Sequence, residues 1–341
     1  MTYKKIALVW AALLPFCTEG VAQTPLKSSK VLETLHVSAD HAFQLGVLPC
    51  IKKKDRFYQQ DMTECPIAVR LLKGNKNVGQ ETLPIPAFSN KFSQNQVSTS
   101  WGTELYNTEP SLKIYESGDE NDYVGVLARK VQLGSNINAL LVTQLAGFEK
   151  LIRNHNLYLI EKDKLKKIWS YSEGHPPNDA ISTIYPVTNQ GRFSLLFSKT
   201  GVSWEESHEF DWNKSFSFVE MSLLDVNQDY QVESIELPSE KHPLYAVVAG
   251  NYSSAEEANE TILKIDCDNY TIEKNRATGK HSIYIHSLVL KSETYPDLSS
   301  ENKFIVGNLF FSKDGAEEYK KALGRCTPAP DAKMVKLNRK R

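Results

Sequence analysis

Between about residue 46 and residue 240 the chain is a succession of short apolar runs cut by Gly, Asn, Asp and Pro. Tyr123-Val-Gly-Val-Leu-Ala, Ala139-Leu-Leu-Val-Thr-Gln, Leu157-Tyr-Leu-Ile, Arg192-Phe-Ser-Leu-Leu-Phe-Ser and Phe216-Ser-Phe-Val-Glu-Met all have strand length and strand-like composition. Runs of this kind, bounded by turn residues, predict a mostly antiparallel β domain over residues 23–240, a sandwich or a partial propeller. Leu157 to Trp169 reads as a hairpin around the turn Glu161-Lys-Asp-Lys, and Phe148-Glu-Lys-Leu-Ile-Arg as the one helical turn of the region. Near the start, Val31-Leu-Glu-Thr-Leu-His is amphipathic. The run Leu237-Pro-Ser-Glu-Lys-His-Pro243 places two prolines among polar residues, which discourages any regular element from crossing it and marks a linker.

Beyond the linker the period changes. Tyr245-Ala-Val-Val-Ala-Gly-Asn-Tyr-Ser-Ser-Ala-Glu-Glu-Ala is echoed by Phe304-Ile-Val-Gly-Asn-Leu-Phe-Phe-Ser-Lys-Asp-Gly-Ala, each copy reading as a strand that feeds a helix. Ser253 with Glu256 and Ser254 with Glu257 carry the S-x-x-E spacing that satisfies the free amides of a helix start. Ala258, Ile262 and Ile265 form the apolar stripe of the first helix, and Ala316, Tyr319 and Leu323 that of the second. With strands from Tyr270 to Lys274 and His281 to Lys291, and a closing strand Lys333-Met-Val-Lys-Leu, the order predicts a ferredoxin-like α+β layer over residues 241–341, and α+β as the class of the whole chain.

These two strings resemble the SPOR (sporulation-related repeat) domain, in which an aromatic residue, an apolar strand, a glycine and an alanine-bearing helix follow in that order. The resemblance covers about the last 100 residues. It implies a four-stranded sheet whose exposed face binds peptidoglycan glycan strands, with Tyr245, Val248, Asn251 and Asn308 as ligand-binding positions. Val248 stands where the family commonly places a glutamine. Some members also carry a cysteine pair, which would suit Cys267 and Cys326.

The compartment is read from the N-terminus. Lys4 and Lys5, an apolar run from Ile6 to Phe16, and Gly20 and Ala22 ahead of a cleavage point form a secretory signal over residues 1–22. That run falls well short of the roughly 20 residues that cross a bilayer, so the expected mature chain is periplasmic or secreted, with no transmembrane segment. Of the five cysteines, Cys17 lies in the leader. Cys50, Cys65, Cys267 and Cys326 remain, and an exported chain can pair them as disulfides. Three pairings are open, and position favours Cys50 with Cys65 and Cys267 with Cys326, against four free thiols. A formal charge of −1 offers no basic excess to attract nucleic acid.

Asp225-Val-Asn-Gln-Asp-Tyr-Gln-Val-Glu-Ser-Ile-Glu236 has the spacing of an acidic calcium loop. Oxygen ligands would come from Asp225, Asn227, Asp229, Gln231, Glu233 and Glu236, although Tyr230 stands where glycine is usual. The other reading is an ordinary acidic turn. His281 and His286, His208-Glu209 and Gly174-His175 match no metalloenzyme spacing, and the chain has no nucleophile elbow, phosphate loop or C-x-x-C motif. Trp101, Trp169, Trp204 and Trp212 are sugar-stacking platforms or core residues. The function expected from all this is non-catalytic binding in the bacterial cell envelope, with no cofactor unless calcium and with peptidoglycan glycan as first ligand. The alternative is an inhibitor or immunity-type protein that blocks a toxin or hydrolase through a protein interface.

Overall fold

The computed structural model describes residues 30–54, 61–96, 113–118, 122–134, 137–147, 152–173, 181–204, 212–265, 274–276, 279–281, 287–301 and 303–340. Residues 1–22, the expected leader, lie outside them. The first sheet is built from β1 (Lys30–His36), β2 (His41–Val47), β5 (Ile67–Lys73) and β6 (Lys76–Thr82), with a projecting hairpin, β3 (Ile51–Lys54) and β4 (Asp61–Glu64), between β2 and β5. The second is a six-stranded meander of β7 (Ser93–Gln96), β8 (Lys113–Ser117), β9 (Val124–Leu133), β10 (Ile137–Ala146), β11 (Ile152–Glu161) and β12 (Lys164–Ser172). The third is the meander β13 (Ile181–Asn189), β14 (Arg192–Trp204), β15 (Ser215–Val226) and β16 (Val232–Leu237). All of these pairings are antiparallel.

Strand alternation stacks the sheets face to face, because successive side chains point to opposite sides and each inner sheet is apolar on both. Phe43, Leu45, Val69 and Leu71 of the first sheet pack on Val126, Leu140, Val142 and Tyr158 of the second. On the reverse of the second sheet, Leu133, Leu141 and Leu157 meet Ile184, Leu195, Leu224 and Val226 of the third. The first joint is tight enough to need a glycine: a Cβ on Gly79 would lie 2.9 Å from the Leu165 Cβ. Its rim carries ion pairs, with Lys73 Nζ 2.6 Å and His41 Nε2 3.0 Å from the two carboxylate oxygens of Asp163. Asp163 sits in the β11–β12 turn, where Lys162 and Asp163 take φ values of 50° and 62°. This is the hairpin the sequence predicts. Arg153, by contrast, lies within β11 rather than in a helical turn.

The C-terminal region joins the stack. β17 (Leu244–Tyr252) leads to α1 (Ala255–Lys264), a small hairpin β18 (Lys274–Arg276) and β19 (Gly279–His281), β20 (Leu288–Lys291), β21 (Phe304–Phe310), α2 (Lys313–Leu323) and β22 (Lys333–Leu337). The fourth sheet has the order β20-β21-β17-β22. Its central strands carry the two Gly-Asn pairs, with Val248 opposite Gly307 and Asn251 opposite Ile305. Ser254 accepts from the Glu257 amide and Ser312 from the Gly315 amide, so both copies start their helix on a serine cap.

The expected class is corrected here. The described residues form a mostly antiparallel β structure with only two short helices, not an α+β chain ending in a ferredoxin-like SPOR-type domain. The decisive feature is the sheet face that such a domain would leave open. Leu244, Ala246, Leu290, Ile305, Leu309 and Leu337 are buried there against Leu196, Val219, Met221, Leu223 and Leu237 of the third sheet. Helices cover the other face through Ala258, Ala316, Tyr319 and Leu323. Polar ties lock the same joint: Tyr295 donates to the Val219 carbonyl at 2.6 Å, and Asn259 of α1 to the Ser215 carbonyl at 2.7 Å. Alternation in the fourth sheet is thus apolar on both sides, as it is in the second and third.

Candidate functional site

A cleft of about 770 Å³ opens at the β7–β8 side of the second sheet, lined by Phe88, Lys91, Phe92, Glu116, Asp122 and Tyr123 among others. Its volume falls within the roughly 300–1,000 Å³ of small-molecule sites. The upper wall is the loop before β7, which the protein holds in two places. Gln144, buried in β10, donates to the Ile85 carbonyl at 2.7 Å and accepts from its amide at 3.3 Å. The Cys65 and Ala87 backbones bond each other in both directions, at 2.6 and 3.0 Å. Cys65 is in turn disulfide-bonded to Cys50, so a covalent link stands directly behind Phe88.

The opposite wall is formed by Gly118, just past β8, and by Asp122 and Tyr123, just before β9. Gly118 has φ +91°, and a Cβ there would lie 2.2 Å from the Asp122 carbonyl oxygen, so only glycine fits. Between the walls stands Glu116. Tyr123 donates its hydroxyl to one carboxylate oxygen at 2.6 Å, and the Asn95 amide donates to the other. A carboxylate held by two side chains is a fixed acceptor, with lone pairs to spare for ligand hydroxyls. Phe88, Phe92 and Tyr123 are half-buried, which leaves ring surface toward the cleft.

A second constellation lies inside the stack. His155 of β11 has Thr143 Oγ1 2.9 Å from Nδ1 and Ser182 Oγ 3.0 Å from Nε2. The chain of hydroxyl, imidazole and hydroxyl has the layout of a nucleophile, base and orienting group. Yet Ser182 is 0% and His155 1% exposed, so no substrate reaches either. Burial above all, and then the positive Arg153, push the His155 imidazole down to about 3, which keeps it neutral. Arg153 donates to the Ser182 carbonyl at 2.7 Å. The arrangement satisfies polar groups across two sheets.

The structure does not gather the four positions implied by the family resemblance. Tyr245 and Asn308 point to the helix side, Val248 packs toward the third sheet, and Asn251 is exposed. In the acidic segment, Asn227 Oδ1 accepts from the amides of Asp229 and Gln231, both at 3.0 Å, and its amide donates to Glu233 at 3.1 Å. Asp225 pairs with Arg192 at 3.0 Å, and Glu236 with Lys340 at 2.9 Å. Tyr230 takes φ 59° where a calcium loop has glycine. Among the described residues no three His, Cys, Asp or Glu side chains converge as a metal site. Cys326 is also disulfide-bonded, to a partner outside the described residues, where Cys267 lies as well. Trp169 packs in the joint of the second and third sheets. Trp101, His175, His208 and His286 are outside the described residues, and Trp204, Trp212 and His281 are described in backbone only. Among the described residues no helix is long and apolar enough to cross a membrane.

Sequence reasoning missed Glu116, Tyr123, Phe88 and Phe92, because they come from three separate segments with no shared motif. The one local hint was Lys113-Ile-Tyr-Glu-Ser-Gly, a strand ending in an acid and a glycine. No family model matches this chain, no curated protein is similar to it in sequence, and no solved structure matches its fold.

Proposed function

We propose that the protein is an exported, non-catalytic binding protein of the cell envelope, and that the cleft at Glu116 and Tyr123 holds a short stretch of glycan, with peptidoglycan strands as the first candidate. The observation that carries this reading is the combination of half-buried aromatic rings with a carboxylate pinned by two side chains. Aromatic faces pack against the C–H faces of sugar rings, and a fixed carboxylate accepts sugar hydroxyls without reorganising on binding. Lys91, exposed at the rim, adds a donor for an acidic or acetylated sugar. The Cys50–Cys65 disulfide supports an oxidising compartment.

The test is co-sedimentation of the full-length chain with purified sacculi. The wild type is expected in the pellet. Tyr123→Ala and Glu116→Gln are expected to lower retention about tenfold each, the loss of a contact worth about 1.4 kcal/mol. A wild type that stays in the supernatant overturns the proposal, and a stable one-to-one complex with a hydrolase under the same conditions would replace it with the inhibitor reading. Release of soluble fragments from the sacculi would overturn the non-catalytic half.

A further inference from the structure

The joint between the second and third sheets contains a buried carboxyl group that no described residue meets in a full hydrogen bond. Glu173, just past β12, is 6% exposed, and among the described residues neither of its carboxylate oxygens makes a full hydrogen bond, although the hydroxyl and backbone of Ser182 come close. Its backbone is fixed, with the amide donating to the Arg153 carbonyl at 2.9 Å. A buried ionised carboxylate without partners is costly, whereas the protonated acid is a neutral group with a donor of its own.

We infer that Glu173 is a proton-operated latch between the second and third sheets, closed while its carboxyl group carries a proton and loosened when the proton leaves. The groups that face it come from four strands. Arg153 stands on β11, Tyr171 on β12, Ser182 on β13 and Lys199 on β14; His155 on β11 joins the same network through Ser182, Glu220 on β15 through Tyr171, and Arg129 on β9 through His155. His155 is neutral and adds no charge. Arg153 is already engaged with the Ser182 carbonyl. Ser182 approaches closely enough to ease ionisation somewhat without forming a full hydrogen bond, and Arg153 and Lys199 act in the same direction. Desolvation outweighs all three and raises the Glu173 pKa above its ordinary 4.5.

The sign follows from linkage. With the folded pKa above the unfolded one, the contribution of Glu173 to stability is fully present below about pH 4.5 and is lost as pH rises through the raised folded value. Ionisation also reaches the relay behind it. A protonated Glu173 can donate toward Ser182, which then donates to His155 Nε2 and leaves the imidazole proton on Nδ1 toward Thr143. An ionised Glu173 favours the reverse order.

The experiment follows the melting temperature of the full-length protein from pH 4 to pH 8, alongside Glu173→Gln, and reads the Glu173 carboxyl carbon and the His155 ring nitrogens by NMR in the wild type. Expected are a fall in wild-type melting temperature with rising pH that is shallower in Glu173→Gln, a carboxyl titration displaced upward from 4.5, and a change of His155 tautomer over the same range. Should Glu173→Gln fail to fold, the two NMR titrations decide alone. A Glu173 carboxyl that titrates at or below its ordinary value, or parallel melting curves for the two proteins, overturns the latch.

Discussion

The two faces of the six-stranded second sheet carry different chemistry. Toward the first sheet, Val126, Leu140, Val142 and Tyr158 close on an apolar partner, the buried polar side chains Gln144, Asn154 and Asn156 are neutral amides, and charge stays at the rim, where Lys73 and His41 meet Asp163 and Lys167 meets Glu81. Toward the third sheet, an apolar patch around Leu141 and Leu157 gives way to Thr143, Arg153, His155, Ser182 and Glu173, all buried. Odd- and even-numbered residues of β10 and β11 therefore face different solvents. An apolar face gains free energy from any close packing, while a buried polar face gains only when each group finds its partner. The first face holds the molecule together; the second makes one joint sensitive to hydrogen-bond direction and protonation.

The largest effect is expected on the apolar face. Leu140→Ala should cost about 2–5 kcal/mol in urea unfolding, because the fully buried side chain leaves a cavity between two flat sheets that cannot collapse around it. Next comes the Cys50–Cys65 crosslink, with 15 residues of sequence separation. Replacing both cysteines by serine should cost about 3 kcal/mol by the loop-entropy rule. The same change should weaken binding in the cleft, because Cys65 braces Ala87 beside Phe88. If stability falls and retention on sacculi does not, Phe88 contributes nothing to ligand binding. On the polar face, Thr143→Val removes the partner of His155 Nδ1 and should cost about 1–3 kcal/mol, the penalty of a buried unsatisfied group. Thr143→Val combined with His155→Leu and Ser182→Ala should recover part of that loss, since both hydroxyls that bond the imidazole are then removed with it. A triple variant worse than the single would show that the seam is held by packing of His155 against Tyr171 and Phe197 instead.

The strands, the β11–β12 hairpin, the serine cap of the first helix and the closing strand at Lys333–Leu337 could be read from sequence because each is local. Turn residues set the Lys162-Asp163 reversal, and serine hydroxyls set the helix starts. The stacking order could not be read. Leu244 and Ala246 look equally suited to an open ligand face or to a buried joint, and only the apolar surface of Val219, Met221 and Leu223, about 25 residues earlier, decides between them. The seam was hidden for a related reason. Thr143, His155 and Ser182 are unremarkable singly, and their convergence depends on the register of Thr143 with His155 across β10 and β11 and on how β13 crosses β11. The cleft depends on a bridge between Cys65 and Ala87 that no spacing rule announces.

The smallest effect, and the sharpest contrast, is expected at the rim of the apolar face. Asp163 is well exposed, and its pKa is lowered chiefly by the hydrogen bond from Lys73, with His41 adding to it. Exposed pairs of this kind are screened by salt and add little, so Asp163→Asn should move the melting temperature barely beyond error at physiological ionic strength. Its pH signature is nevertheless opposite to that of Glu173. A depressed carboxylate stabilises the fold above its ordinary value of 3.8, and that contribution is lost as pH falls through the lower folded value. The difference between wild type and Asp163→Asn should therefore be constant above about pH 4, shrink below 3.8, and decrease with added salt. The difference between wild type and Glu173→Gln should instead grow as pH rises and respond little to salt, because the carboxyl group is buried. Two carboxylates on opposite faces of one sheet would then report the two environments directly. If both differences follow the same pH trend, the polar seam is as wet as the rim, and the contrast between the faces is one of composition alone.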